Sequence, residues 1–327
     1  MSSLIAWILR AIPFGTIIMY GALGETLTEK SGNLNLGVPG IMYLGGFAGF
    51  ASAYYYEKLS ANPSAFVCVI LALLCALIAS ALGGLIYAFL TITLKANQNV
   101  SGLALTTFGT GVANFLGTSL QKSSASVVVV PASVVNVFKP LDMGFLSDLP
   151  VVGQLIFSHS LFTYLAVALA IGMHLYLNKT HCGLNLRAIG ENPGAADAAG
   201  VNVTLYKYVH LLVGGAICGL GGAYISLVTC AGNWQQDCVS GQGWIAVALV
   251  IFVSWKPAKA LWGAFFFGAL RILKLYVPAS VISLPSAFYL MLPFAVTCVV
   301  LVLSSIRMRR ENQAPAACGV NYFREER

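Results

Sequence analysis

With 327 residues, 58% of them hydrophobic and only 9% charged, and a mean hydropathy of +0.82, the chain cannot clothe a water-facing surface, which takes roughly 25% charged residues. Its net charge of +7, from 18 Lys and Arg against 11 Asp and Glu, is explained without nucleic acid, because the cytoplasmic loops of membrane proteins are basic. Apolar segments of about 20 residues recur along the whole length, so the expected fold is all-α, a polytopic transmembrane helical bundle of about nine spans.

The first span is 4–24, with Pro13 tolerated as a kink; residues 1–7 carry no basic residue and no A-x-A site follows, so no signal peptide is expected. A polar connection, 25–35, follows. Within it, 24–31 reads G-x-x-x-x-E-K-S, a near miss of a Walker A loop in which Glu29 replaces the second glycine and would repel phosphate. The second span, 36–56, carries G-G-F-A-G at 45–49, a small-residue face for close helix contact. Asn62 and Pro63 break the chain before a third span at 65–94, and K-A-N-Q-N at 95–99 forms a tight polar hinge before the fourth at 100–120. Residues 121–159 are mixed in character, with V-V-V-V-P and F-K-P pieces, and read as an ordered or partly re-entrant external loop. Further spans are expected at 160–178, 205–230, 242–255, 260–276 and 286–306, the one at 242–255 short enough to be tilted or broken.

Between the fifth and sixth spans lies a polar stretch, 184–203, built like a small helix. Asn192 suits an N-cap and Pro193 the first helical position. Small residues fill 194–199, and Gly200 stands where a left-handed residue ends a helix. A helix of under two turns is unstable alone, so something must grip it.

With the C-terminal tail inside, the inner side holds Lys30, Lys95, Lys179, Arg187, Lys207, Lys256, Lys259, Arg307, Arg309, Arg310, Arg324 and Arg327, which is twelve of the 18 Lys and Arg. That asymmetry places the stretch 179–204 and the tail 307–327 in the cytoplasm and the loop 121–159 outside. The organisation expected is therefore one transmembrane domain, 1–306, and a cytoplasmic tail, 307–327, to which no role attaches.

No catalytic set and no metal-ligating set stands out: the eight cysteines form no C-x-x-C and the four histidines do not cluster around them. Cys230 and Cys238 share one loop and can pair if it faces an oxidising side. No acidic residue or lysine falls at the middle of a span, which weighs against ion-coupled transport. Amides are plentiful instead. Asn33, Asn35, Asn97, Gln98 and Asn114 suit a path for an uncharged polar solute such as a sugar or nucleoside, or else satisfy backbone groups at helix ends. The glycines of 214–222 read as a close-packing face, and Trp234, Trp244, Trp255 and Trp262 as interfacial anchors.

Four motifs carry a resemblance. E-K-S-G-N-L-N-L-G-V-P-G at 29–40, K-A-N-Q-N-V-S-G-L-A-L at 95–105, L-R-A-I-G-E-N-P-G-A-A-D-A-A-G-V-N-V at 186–203 and G-Q-G-W-I-A-V-A-L-V-I-F at 241–252 resemble, in this order, the membrane permease of ABC importers. The subgroup is the one for simple sugars, nucleosides and branched-chain amino acids. The resemblance spans about residues 10 to 306, and Pro39 departs from it, standing where relatives commonly carry an acidic residue. It implies a multi-pass protein of the bacterial inner membrane with no cofactor of its own. ATP would be bound by cytoplasmic partner subunits, beside a second permease of a different sequence and an external substrate-binding protein. It further implies that Arg187, Gly190, Glu191, Asn192, Pro193, Ala196, Asp197, Ala199 and Gly200 form the segment that couples to the ATPase. Nucleosides fit the wording of the motifs best and simple sugars next, with riboflavin and branched-chain amino acids as alternatives. A self-sufficient channel or secondary transporter is the reading from another class.

Overall fold

The computed structural model describes residues 3–123, 128–141, 144, 152–276, 284–307 and 313–324. The described residues form helices joined by short connections, and the one β-like pairing among them is an isolated antiparallel bridge between Val129 and Asn233.

Helix α1, Ser3–Lys30, runs six residues beyond the expected first span. Nothing between Glu25 and Lys30 breaks a helix; the chain turns only at Gly32, whose φ is +84°. The first six residues of the expected polar connection, 25–30, are therefore helical, and they carry Glu25 and Glu29 into the bundle, both almost completely buried. Each carboxyl finds a donor. Glu25 Oε1 accepts the N–H of Asn35 at 3.0 Å, and Glu29 accepts the indole N–H of Trp255. The near-Walker stretch is thus helix, not a loop of free amides.

After α1 come α2 (Val38–Leu59), α3 (Ala65–Ala88) and α4 (Gln98–Ser123), then a short α5 (Ala132–Val137) and α6 (Leu161–Lys179). Two short helices, α7 (His181–Glu191) and α8 (Pro193–Ala198), lead into α9 (Val203–Tyr224). The chain ends in α10 (Gln242–Phe252), α11 (Pro257–Ile272) and α12 (Ser286–Arg307). Single π-helical turns, Phe89–Thr93 and Ile225–Thr229, prolong α3 and α9.

Helices α1, α2, α3 and α9 make the centre, with α9 packed against the other three. Lipid tails are as apolar as leucine, so helices in a membrane are held by close backbone approach and small residues. Both expected glycine faces meet here. A Cβ on Gly45 would lie 2.6 Å from Gly219 Cα, one on Gly46 3.0 Å from the carbonyl oxygen of Gly222, and one on Gly214 2.6 Å from that of Gly24. Helix α4 lies on α2, while α10 and α11 lie on α1 and hold α12 at the edge.

Each of the nine expected spans finds a helix. Yet among the described residues only five segments are long and apolar enough to cross a membrane alone: Leu4–Lys30, Ala65–Thr93, Leu161–Lys179, Val203–Thr229 and Ser286–Leu303. The reason is plain at α10 and α11, which have 11 and 16 residues. Ser254 and Trp255, both at φ +55°, break the chain between them.

Two expected interfacial anchors prove to be core residues. Trp234 is buried against Phe47 and Phe50, and Trp255 is turned inward to Glu29. Trp262 is exposed. Part of the long loop, 124–127, 142–143 and 145–151, lies outside the described residues. Its described parts are ordered, with Leu141 donating to the carbonyl of His159 at 3.0 Å.

Candidate functional site

Seven of the basic residues assigned to one side by sequence, Lys30, Lys95, Arg187, Lys207, Lys256, Lys259 and Arg324, line two cavities at one end of the bundle. A cavity of about 630 Å³ there is lined by Lys30, Arg187, Glu191, Trp255, Lys256 and Lys259. Beside it, a second cavity of about 360 Å³ is lined by Lys95, Asp197, Lys207, Tyr322 and Arg324. Between the two stand α7 and α8.

The small capped helix is present. Asn192 Oδ1 accepts the N–H of Ala195 at 2.9 Å, Pro193 occupies the first turn, and Gly200 has φ +86°. Asn192 is at once the cap of α8 and the last residue bonded to α7, its N–H reaching the carbonyl of Ala188 at 2.8 Å. Helix α7 opens on Thr180, whose hydroxyl accepts from the N–H of Gly183 at 3.0 Å. Two grips hold this pair of helices. Ala196 is buried in a small apolar cluster with Ile189 and Val203, and Gly190 lies so near the end of α1 that a Cβ would stand 2.5 Å from the carbonyl oxygen of Lys30.

The nine residues of the segment divide by exposure. Glu191, Asn192, Ala199 and Gly200 are exposed, as are Ala195 and Ala198 between them, whereas Gly190 and Ala196 face inward. Pro193, Asp197 and Arg187 are half-buried, and the Nε of Arg187 is buried with no partner. What faces solvent is thus a patch of mostly small side chains that includes the carboxylate of Glu191. Such a patch admits close approach by another backbone.

The C-terminal tail, given no role from sequence, is the second grip's continuation. Ala317 donates its N–H to the carbonyl of Gly190 at 2.9 Å. Tyr322 donates its hydroxyl to Asp197 Oδ2 at 2.9 Å, and Arg324 pairs with the same oxygen at 3.1 Å. Asn321 donates to the carbonyls of Lys95 and Ala96 at 2.6 and 3.1 Å, while the Lys95 ammonium sits 4.2 Å from the centre of the Phe323 ring. Cys318 is half-buried here, and burial, then the nearness of Glu29, push its thiol well above the ordinary range. The sequence signal for all this was faint: an N-Y-F-R run following a proline and a glycine.

Of the path candidates, Asn33, Asn35 and Gln98 are buried together near the basic end, and Asn97 is exposed. Their bonds go chiefly to backbone. Asn35 Oδ1 accepts from Gly37 at 2.8 Å, Gln98 Oε1 from Leu34 at 2.8 Å, and Asn97 Oδ1 from Val100 at 3.1 Å. Asn114 is more than four turns along α4 from Gln98, where it donates to Asp237 Oδ1 at 2.9 Å. There the 230–241 loop folds into the bundle mouth, its Gln236 donating to Thr118 at 2.6 Å and its Trp234 carbonyl accepting from Gln121 at 2.9 Å. Cys230 and Cys238 are both free thiols. Among the described residues, no group of three or more His, Cys, Asp or Glu is placed to hold a metal ion.

Residues 7–301 match the family described as branched-chain amino acid transport system / permease component. The guanosine ABC transporter permease protein of Bacillus subtilis (strain 168) is 34% identical over 94% of this chain and 92% of its own length. The nucleoside ABC transporter permease protein of Lactococcus lactis subsp. cremoris (strain MG1363) is 31% identical, over 96% of this chain and 95% of its own. A putative glucose ABC transporter permease protein of Haloferax volcanii is 34% identical, over 80% and 74%. No solved structure matches the chain.

Proposed function

The chain belongs to the family of branched-chain amino acid transport permease components, permeases of ABC importers, and we propose that the solute it moves is a nucleoside, with a simple sugar as the second reading. The observation that carries the first is near end-to-end similarity to the guanosine and nucleoside permeases. The glucose relative, equally identical over a shorter share, favours the second.

In this reading the chain has no ATPase of its own. Cytoplasmic ATP-binding subunits drive it, a second permease of different sequence pairs with it, and an external binding protein delivers the solute. The basic end of the bundle is cytoplasmic by the positive-inside rule, which puts the tail and the α7–α8 pair inside and the 121–159 loop outside. The ATP-binding subunit seats on the exposed patch around Ala195, Ala198 and Gly200. Closure of the ATPase subunits then displaces α7 and α8, and because packed interfaces are bistable, the shift moves the permease between inward-open and outward-open states. The grips at Gly190 and Ala196 support this reading, since a handle must be rigidly tied to what it moves.

The test pairs two measurements. Ala198→Trp, at an exposed position, is expected to leave the protein inserted and stable, to abolish nucleoside uptake and to lose co-purification of the ATP-binding subunit. Intact uptake by that variant would remove the coupling role. Solute flux through liposomes containing this chain alone, without ATP, would favour a self-sufficient transporter instead.

A further inference from the structure

Among the described residues, the smaller cavity at the basic end has an excess of positive charge. Three cations line it, Lys95, Lys207 and Arg324, against one carboxylate, Asp197. That carboxylate is already engaged by Arg324 at 3.1 Å and Tyr322 at 2.9 Å. Lys207 stands apart from the other two cations. It is only 3% exposed, and among the described residues it has neither an ion pair nor a hydrogen bond. Its other titratable neighbour is the thiol of Cys318. Burying an ammonium without a counter-charge costs several kcal/mol, so a lysine kept in such a place points to an anion that the described residues do not supply.

The backbone converges on the same space. Lys207 lies one turn into α9, on the face of Val203. Asn202 Oδ1 caps this helix by accepting from Leu205 at 3.0 Å. The first-turn N–H groups of Val203 and Thr204, whose residues line the cavity, have no acceptor within their own helix, the ordinary state of a helix start. A 22-residue helix also brings the positive end of its dipole there.

We propose that this cavity is a phosphate-binding site, with Lys207 as the buried anchor, Lys95 and Arg324 as the outer cations and the start of α9 as the backbone donor. A phosphate group fits better than a monovalent halide. Its several oxygens can take bonds from three separate cations and two amides at once, and a cavity of about 360 Å³ is roomy for a single small ion. The phosphate is carried either by a lipid headgroup or by a soluble phosphate compound. Bound there, it ties three elements together: the break after α3, the first turn of α9 and the C-terminal tail.

The site can be tested without transport, so its failure is separable from failure of the permease reading. The full-length chain, with whatever subunits co-purify, is placed in phosphatidylcholine nanodiscs and titrated with radiolabelled inorganic phosphate at constant sodium chloride. Saturable binding is expected, weakened about tenfold or more by Lys207→Gln, as loss of a bond to a charged group implies, and retained by Lys207→Arg. Lys95→Gln, at an exposed position, is expected to weaken it several-fold and keeps the test decisive if Lys207→Gln does not fold. Native mass spectrometry separates the sources. Phosphatidate retained by the wild type but not by the Lys95→Gln or Lys207→Gln variants, and displacing inorganic phosphate when included in the nanodisc, assigns the site to a headgroup; undisturbed phosphate binding in its presence assigns it to a soluble compound. Absence of both phosphate and phosphatidate binding in the wild type, or binding unchanged in Lys95→Gln, overturns the proposal.

Discussion

Gln98 donates from Nε2 to Oδ1 of Asn321 at 3.0 Å across 223 positions of sequence, while its Oε1 accepts the N–H of Leu34. One buried amide therefore ties the turn after α1, the start of α4 and the C-terminal tail into a single joint. Gln98→Ala leaves the Leu34 N–H and the Asn321 side chain without their partner, at a cost of about 1–3 kcal/mol. Asn321→Ala spares the acceptor of Leu34 but also removes the bonds to the carbonyls of Lys95 and Ala96, so it should cost a comparable amount. A double-mutant cycle on thermal unfolding in detergent checks this, and additive losses would show the two side chains to be uncoupled.

Asn192 holds α7 and α8 at a fixed angle by capping one and ending the other. Asn192→Ala should destabilise α8 by about 1 kcal/mol, whereas Asn192→Ser or Asn192→Asp should keep the cap. Global unfolding will register little of this in so short a helix. Hydrogen exchange of the Ala195 amide is the better measurement, and it is expected to quicken in Asn192→Ala alone.

Much of this architecture was legible in sequence because membrane segments announce themselves by apolar length, and the capped helix at 192–200 by residues with few other uses: an N-cap amide, a first-turn proline and a left-handed glycine. The glycine faces were legible for the same reason. Three things were not. The buried pair Glu25 and Glu29 looked like loop because carboxylates in a helix are invisible until their partners, Asn35 and Trp255, are placed. Trp234 and Trp255 looked like surface anchors because tryptophan is common both there and in cores. The tail's clamp on Asp197 depends on pairs more than 120 residues apart, and periodicity carries no information about those.

The approach of α9 to α2 leaves no room for a side chain at Gly222, where an added Cβ would collide with the carbonyl oxygen of Met42. Gly222→Leu must push the two helices apart along their shared face. Overpacking of this kind costs about 1–3 kcal/mol in soluble cores, and here the colliding atom is backbone, which cannot rotate aside. Loss of folded protein from the membrane fraction is expected. Gly111→Leu on α4, where nothing lies within 4 Å, is the control and should be tolerated.

His159 is buried at the end opposite the basic one, its ring Nε2 2.8 Å from the carbonyl of Leu155. Burial, only partly offset by that bond, holds its pKa below the ordinary value of 6.5. A depressed folded-state pKa on a histidine makes stability fall as pH falls, because the unfolded chain binds the proton more readily. Above pH 6.5 the ring is neutral in both states and contributes no pH dependence. As pH falls from 6.5 toward the depressed folded value, the unfolded chain takes up a proton that the folded one refuses, so stability declines across that window and levels off below it. His159→Gln should flatten the acid side of a plot of unfolding temperature against pH. An unchanged slope would show that another group sets it.

The cysteines give a readout of both burial and sidedness. Cys238 is half-buried, and burial, together with neighbouring Cys230, pushes its thiol up to about 12. Cys230 is shifted the same way by burial. The thiolate is the reactive form, so near neutral pH neither should react appreciably with a water-soluble maleimide while the protein is folded. Cys182 is exposed at the start of α7. It should label readily, but only from the face that carries the basic residues. Inside-out vesicles are therefore expected to label at Cys182 and right-side-out vesicles not to, with Cys182→Ser removing the signal. Labelling of Cys182 from the outer face would invert the sidedness argued from the lysines and arginines and, with it, the placement of the α7–α8 pair beside an ATP-binding subunit.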